Sequence, residues 1–325
     1  MTTTRRSAIG ALAAASLAPG LCGSAVAQAG RPLRVLVGYP PGGAVDVVAR
    51  EVGEGLRSVG YAVVIENRTG AAGRLATEQL MTAPADGSTL VFMPGGNATI
   101  FPHVYSRLRV DPMKDLVPVA AACEFTFGLG VGPGTPAKTL KEFVEWAKAN
   151  PSKASYGTPG GGTAMHFMGV MFARAAGFEF THVPYRGGAA AIVDVLGGTV
   201  PALATTLPNL VQPHRQGKLR ILAFTGSKRL PGLPDVPTFN EAGYPGLEIT
   251  ENFGFFADAR TPPAIVAELH SALRAAASQS RVTAALEKLE FDPVSKTQTE
   301  YAALLRADHE RWGPVIRATG YKAED

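Results

Sequence analysis

The stretch YPPGGAVD, Tyr39 to Asp46, lies between an apolar run, Leu33 to Val37, and a helical pattern from Asp46 to Ser58. Strand, glycine turn and helix start, in that order, leave main-chain N–H groups without intrahelical partners and point them at whatever stands before the helix. Gly42 and Gly43 carry no Cβ, so a ligand can come close to the backbone. Pro40 and Pro41 offer no N–H but stiffen the loop. A second stretch, YGTPGGGTAMH from Tyr156 to His166, repeats the plan: Gly160, Gly161 and Gly162 form a potential anion nest, and Thr163 puts a hydroxyl at a helix start.

Around these loops, short apolar runs alternate with amphipathic helical ones. Strands are predicted over Ala62–Glu66, Thr89–Met93, Phe125–Val131, Ala154–Gly157, Phe180–Pro184, Val200–Ala204, Leu219–Thr225 and Phe253–Phe256. Helices are predicted over Thr77–Ala83, Leu140–Ala149, Thr163–Ala176 and Ala189–Leu196, and over most of the chain from Pro262 onward. Such alternation implies an α/β fold with parallel strands. At 325 residues there is room for two lobes. The lobe boundaries are drawn at 31–122 with 232–325 for the first lobe and 123–231 for the second. Ligands collect at the carboxyl ends of strands, in the cleft between such lobes.

The first residues read as an export signal over 1–27. Arg5 and Arg6 precede a short apolar run, Ile9 to Leu21, and Ala25-Val26-Ala27 fits a cleavage site. The paired arginines leave both the general secretory and the twin-arginine route open, and either implies a periplasmic protein. The formal net charge of +4 falls to about +2 (4 − 2) once those arginines leave, too little and too scattered for nucleic acid. Cys123 would then be the only thiol, and its apolar neighbours read as core.

Seven segments, in order, resemble the periplasmic receptors of tripartite tricarboxylate transporters, the Bug receptors. They are YPPGGAVDVVAR, ENRTGAAG (Glu66 to Gly73), PADGSTL, YGTPGGGTAMH, HVPYRGGAAAIVDVLGG (His182 to Gly198), GKLRILAFT and LPDVPTFNEAGYPG. The resemblance implies a type II-like, two-lobed, monomeric receptor that closes over a small carboxylate and delivers it to membrane transporter subunits. A sensor feeding a signalling system is the alternative; a secreted hydrolase is a more distant one. Ala72 stands where the family commonly has glycine, Thr163 where serine is frequent, and Tyr39 where phenylalanine is common.

On this reading the ligand contacts are Tyr39, Pro41, Gly42, Gly43, Ala44, Asp46, Asn97, Thr158, Gly160, Gly161, Thr163, His166, Arg186 and Asp194. Gly42, Gly43 and Ala44 would give N–H groups. Asp46 would either accept from a ligand ammonium or hydroxyl or serve its own helix. His166 is either a contact or a structural histidine. Arg186 would face a carboxylate, unless it is a solvated loop cation, and Asp194 would take a hydroxyl or a water. Nothing asks for a cofactor or catalysis. No lysine follows the glycines as in a P-loop, the dinucleotide fingerprint fails, and no nucleophile elbow or paired Cys or His at metal spacing occurs.

Overall fold

The computed structural model describes residues 32–323; the export segment read over 1–27 lies outside them. Among the described residues ten strands form the sheet: β1 (Leu33–Val37), β2 (Val63–Asn67), β3 (Thr89–Pro94), β4 (Leu116–Val131), β5 (Ser155–Thr158), β6 (Thr181–Pro184), β7 (Ala202–Thr206), β8 (Arg220–Phe224), β9 (Thr250–Asp258) and the short β10 (Asp292–Pro293), which pairs with β4. They join in one curled sheet ordered β2-β1-β3-β9-β4-β7-β5-β6, with β8 on β4. The β1–β2, β1–β3, β5–β6 and β5–β7 pairings are parallel, as the alternation predicts. The middle is not: β3–β9, β4–β9, β4–β7 and β4–β8 are antiparallel. Long crossing strands that return between lobes impose that reversal, and a local apolar run carries no mark of its direction.

Strand β4 is the spine. Its first part, Leu116 to Thr126, pairs with β9, and its last part, Phe127 to Val131, pairs with β7 and β8. The apolar pattern predicts a strand only from Phe125, because Pro118 and Glu124 break it. Pro118 is tolerated where the β4–β9 register slips, between Pro118 and Ala120, and a bulge there also bends the strand. At the changeover the Phe127 N–H donates to the Thr225 hydroxyl at 3.0 Å, and the Thr225 N–H returns to the Phe127 carbonyl at 2.9 Å.

Residues 232–249, assigned to the first lobe from the sequence, pack against the second. Leu233 and Val236 share an apolar cluster with Leu219 and Phe224, and the Phe239 ring lies 5.4 Å from that of Phe172. The helix Leu207–Arg215, unassigned from the sequence because Pro213 sits inside it, covers β4 and β8 of the second lobe.

Helix starts face the cleft because of how each helix buries itself. In Ala44–Ser58, Val45, Val48, Ala49, Val52 and Leu56 are buried, at the spacing of one helical face. That stripe lies on the sheet and leaves the helix's first turn at the carboxyl end of β1. Gly38, which ends β1, lets the Gly70–Gly73 turn approach: a Cβ there would stand 2.4 Å from the Gly73 Cα. Gly38→Ala is expected to cost about 1–3 kcal/mol in chemical denaturation, because backbone rather than a flexible side chain would have to move.

Candidate functional site

The Tyr39–Asp46 loop is held by its own acid. Asp46 is 2 % exposed. Its carboxylate accepts the Gly42 N–H at 2.9 Å, Arg50 Nε and Nη2 at 2.9 and 2.8 Å, and Asn67 Nδ2 at 2.8 Å. Burial alone would raise its pKa; the bonds from Arg50, Gly42 and Asn67 outweigh burial and hold it below the usual range. Both oxygens are therefore taken, and the residue clamps the loop instead of reaching into the cleft. The Gly42 N–H is spent on that clamp and Pro41 is exposed outside the cleft lining, so the geometry speaks against Asp46, Gly42 and Pro41 as ligand contacts. What remains open is the next turn. The Gly43 N–H makes only a long bond, 3.4 Å, to the Pro40 carbonyl. The N–H groups of Ala44 and Val45 find no acceptor among the described residues.

Behind this loop stands a strained turn. Ala71 and Ala72 adopt φ of +48° and +54°, a conformation few non-glycine residues enter. The Ala72 carbonyl accepts from the Tyr39 hydroxyl at 3.0 Å and from Asn97 Nδ2 at 3.1 Å. Asn97 is thus a brace behind the wall, buried and outside the cleft lining. The ring of Tyr39 does line the cleft.

In the opposite loop most polar side chains also serve the loop. The Thr163 hydroxyl donates to the Gly160 carbonyl at 2.9 Å and accepts the His166 N–H at 3.4 Å, which makes it a helix cap. Thr158, fully buried, bonds the same carbonyl and lies 2.7 Å from His182 Nε2. His166 Nδ1 accepts the Gly162 N–H at 3.3 Å, and its ring stacks on His182 with centroids 3.9 Å apart. Burial lowers the pKa of His166 to about 4; burial and then the neighbouring His166 lower His182 to about 3. Both rings are neutral near pH 7, and His166 is the structural histidine of the two readings. Gly160 and Gly161 face the cleft, and the Gly161 N–H has no acceptor among the described residues.

The cleft between the loops has a volume of about 510 Å³ and narrows to a deeper recess of about 40 Å³ floored by Phe125 and Phe253. Tyr39, Pro40, Pro159 and Gly187 line both. Among the described residues no Asp or Glu lines either. Arg186 lines the outer part, exposed and without an ion pair among the described residues. Asp194 does not reach it; it accepts the Tyr185 hydroxyl at 2.7 Å, and Tyr185 is the lining residue. The lobes touch at the mouth. A Cβ on Gly160 would stand 3.1 Å from the Ala72 Cβ, and one on Gly187 2.9 Å from Pro40 Cδ. Two parts of the wall are not foreseen from sequence: the Ala71–Ala72 turn, which the glycines at 70 and 73 hint at, and Tyr321–Ala323, which only the path of the last helix brings here. Among the described residues no group of His, Cys, Asp and Glu is arranged to hold a metal ion, and no helix is long and apolar enough to cross a membrane.

Residues 48–321 match the tripartite tricarboxylate transporter family receptor. A Cupriavidus necator protein, described as a UPF0065 protein in the gbd 5′ region, is 36% identical over 318 residues, 95% of each chain. Two solved structures are similar. One is MatC from Rhodopseudomonas palustris with bound malate, at 30% identity and TM-score 0.83, covering 89% of this chain and 99% of the other. The other is the periplasmic binding protein BugD, at 29% identity and TM-score 0.86, covering 91% and 99%.

Two outcomes are expected from this geometry. Asp46→Asn removes the charge that holds Arg50 and should cost about 1–2 kcal/mol of stability in urea unfolding, Arg50 being half-exposed. An unchanged midpoint would return Asp46 to the list of ligand contacts. For the histidine pair the folded pKa values lie below the unfolded value of about 6.5, so the unfolded chain takes up protons that the folded rings refuse. Stability is therefore complete above pH 6.5 and falls as pH drops toward 4 and then 3, by about 1 kcal/mol per ring at pH 5.5. The slope of melting temperature against pH should flatten in His166→Phe.

Proposed function

This chain belongs to the tripartite tricarboxylate transporter receptor family, and we propose that it is a periplasmic receptor that captures a small organic acid and passes it to the membrane subunits of such a transporter. The observation that carries the reading is the electrostatic character of the cleft. Among the described residues its lining has no carboxylate, while main-chain N–H groups at Gly43, Ala44, Val45 and Gly161 and the cation of Arg186 border it. A carboxylate is the complement: it accepts several N–H bonds at once, and such bonds are stronger with a charged acceptor. Malate, bound by the similar MatC, is an acid of the size this cleft admits.

On this reading the second group of residues positions the first. Asp46, Asn97, Thr158, Thr163 and His166 hold the two loops in shape, and Asp194 orients Tyr185. Nothing in the cleft supplies a nucleophile with an adjacent base, so capture and release suffice as its chemistry. Closure is a hinge motion about the β4 changeover and the segment that enters β9, acting as a monomer. The acid favours the closed form only by the contacts it makes there and not in the open form.

A thermal-shift series of the purified chain against small mono- and dicarboxylates is expected to raise the melting temperature with at least one of them, by mass action. Gly160→Leu should abolish that shift and weaken binding by about tenfold or more, since the side chain wedges against Ala72 where the lobes meet. Gly160 is buried, so the ligand-free melting temperature is expected to fall somewhat, and circular dichroism checks that the variant is folded before its ligand response is read. A shift that survives the wedge would place the acid elsewhere.

A further inference from the structure

At the start of β9 the chain carries an acid into the core. Glu251 pairs with Phe125, and Thr250 pairs with Thr126, the last residue of β4 before that strand changes partners. Glu251 is 7 % exposed. Its Oε1 accepts the Gly96 N–H at 2.7 Å, and its Oε2 has no hydrogen-bond partner among the described residues. The approach is close because Gly96 has no side chain: a Cβ there would stand 2.6 Å from Oε1.

Titratable and charged groups face Glu251 from three elements. The last helix, Gln298–Thr319, brings Asp308, Arg311 and the Tyr301 hydroxyl, and Arg311 is already held by Asp308 at 3.0 Å. On the same helix His309 bonds the Thr99 carbonyl at 3.0 Å and stacks on His103. The loop after β1 brings the Tyr39 hydroxyl. From β4, Glu124 acts on Asp308 and is ion-paired with Lys296 at 3.0 Å. No cation among the described residues bonds Glu251. Burial pushes its carboxyl up to about 8; Asp308 adds to the rise, and the Gly96 N–H and Arg311 oppose it. An acid with one oxygen on an N–H and the other unpaired is accommodated by keeping its proton on the second.

The Gly96 bond leads to the cleft. Asn97, the next residue, donates to the Ala72 carbonyl at 3.1 Å and accepts from the Tyr39 hydroxyl at 3.3 Å. Pro94 and Phe253, two residues before Gly96 and two after Glu251, line the recess. One hydrogen bond therefore ties the point where β4 changes partners to the wall behind the ligand loop.

We propose that Glu251 is a positioning residue of the receptor, a neutral carboxylic acid that joins the lobe hinge to the cleft wall and takes up a proton when the ligand is captured above neutral pH. This rests on the reading that the cleft holds an organic acid. Ionised, Glu251 sets an unpaired negative charge behind the wall, which repels the bound carboxylate and draws water against the Gly96 bond. Protonation and capture therefore favour each other, and the coupling is reciprocal. As pH rises through the folded value, the free receptor ionises and its affinity falls. Below that value the acid is neutral in free and bound forms alike, and affinity no longer depends on it.

Two measurements on the full chain test this. Without ligand, the unfolded chain releases between pH 4.5 and about 8 a proton that the folded chain keeps, so native stability falls over that window. Glu251→Gln should therefore melt about 5 °C or more above the native chain at pH 8, and the gap should close toward pH 4.5. Titration calorimetry with malate, succinate and adipate, at pH 8 in phosphate and in Tris, reads the proton itself. The native chain should take up about 0.3 proton or more per acid bound and lose about threefold or more in affinity from roughly pH 7 to 9. Glu251→Ala should weaken binding about tenfold near pH 7. Glu251→Gln, which keeps the acceptor for Gly96, should restore that binding and abolish the uptake. A native chain that binds without proton uptake, a Gln variant that keeps the uptake, or equal melting of the two at pH 8 overturns the role of Glu251 while the receptor reading stands. A native chain that binds no organic acid, by calorimetry or by thermal shift, fails the receptor reading itself, and the proton linkage with it.

Discussion

A 16-residue strand, β4, is hydrogen-bonded to both halves of the sheet, and the cleft exists because that strand changes partners halfway along. Before Thr126 its edge is occupied by β9, and from Phe127 on by β7 and β8. The change places the carboxyl ends of β1 and β5 opposite each other, so two loops of similar design meet across a gap. Thr225 locks the changeover by bonding Phe127 through both main chain and hydroxyl, and by donating to the Ile249 carbonyl at the entrance to β9.

The cleft follows from a division of labour between side chain and main chain. Polar side chains in the two loops mostly bond to their own loop: Asp46 to Gly42, Thr163 to Gly160, His166 to Gly162. Main-chain groups are left facing the gap. A side chain that contacts a ligand pays rotamer entropy on each binding event, while an N–H held by a buried clamp does not. The buried charge of Asp46 is tolerated for the same reason, since four donors surround it.

Much of this is legible in the sequence, and what is not has identifiable causes. The runs of glycine after β1 and β5 mark the loops, because turn chemistry is local. Strand direction at the centre is not local, and neither is the true start of β4, which Pro118 hides at a bulge. The sequence marks Asp46 as important but leaves its role open, since whether a carboxylate faces a ligand or its own loop depends on Arg50 and Asn67, four and twenty-one residues away. Residues 232–249 are read as first-lobe from the sequence. Phe239 finds Phe172 across the fold, which no pattern within either segment announces. The tail is the extreme case: a hundred and more residues separate Tyr321 from His166.

The Ala71–Ala72 turn carries a further consequence. Two successive alanines in left-handed backbone cost about 1–2 kcal/mol each, and a glycine at either position would relieve that. What restrains the turn is a pair of bonds into one carbonyl, from Tyr39 and Asn97, with Tyr39 itself part of the cleft wall. The turn is therefore cocked against the aromatic ring that any occupant would touch. Tyr39 and Asn97 thus keep in place a piece of cleft wall whose own backbone preference opposes its shape.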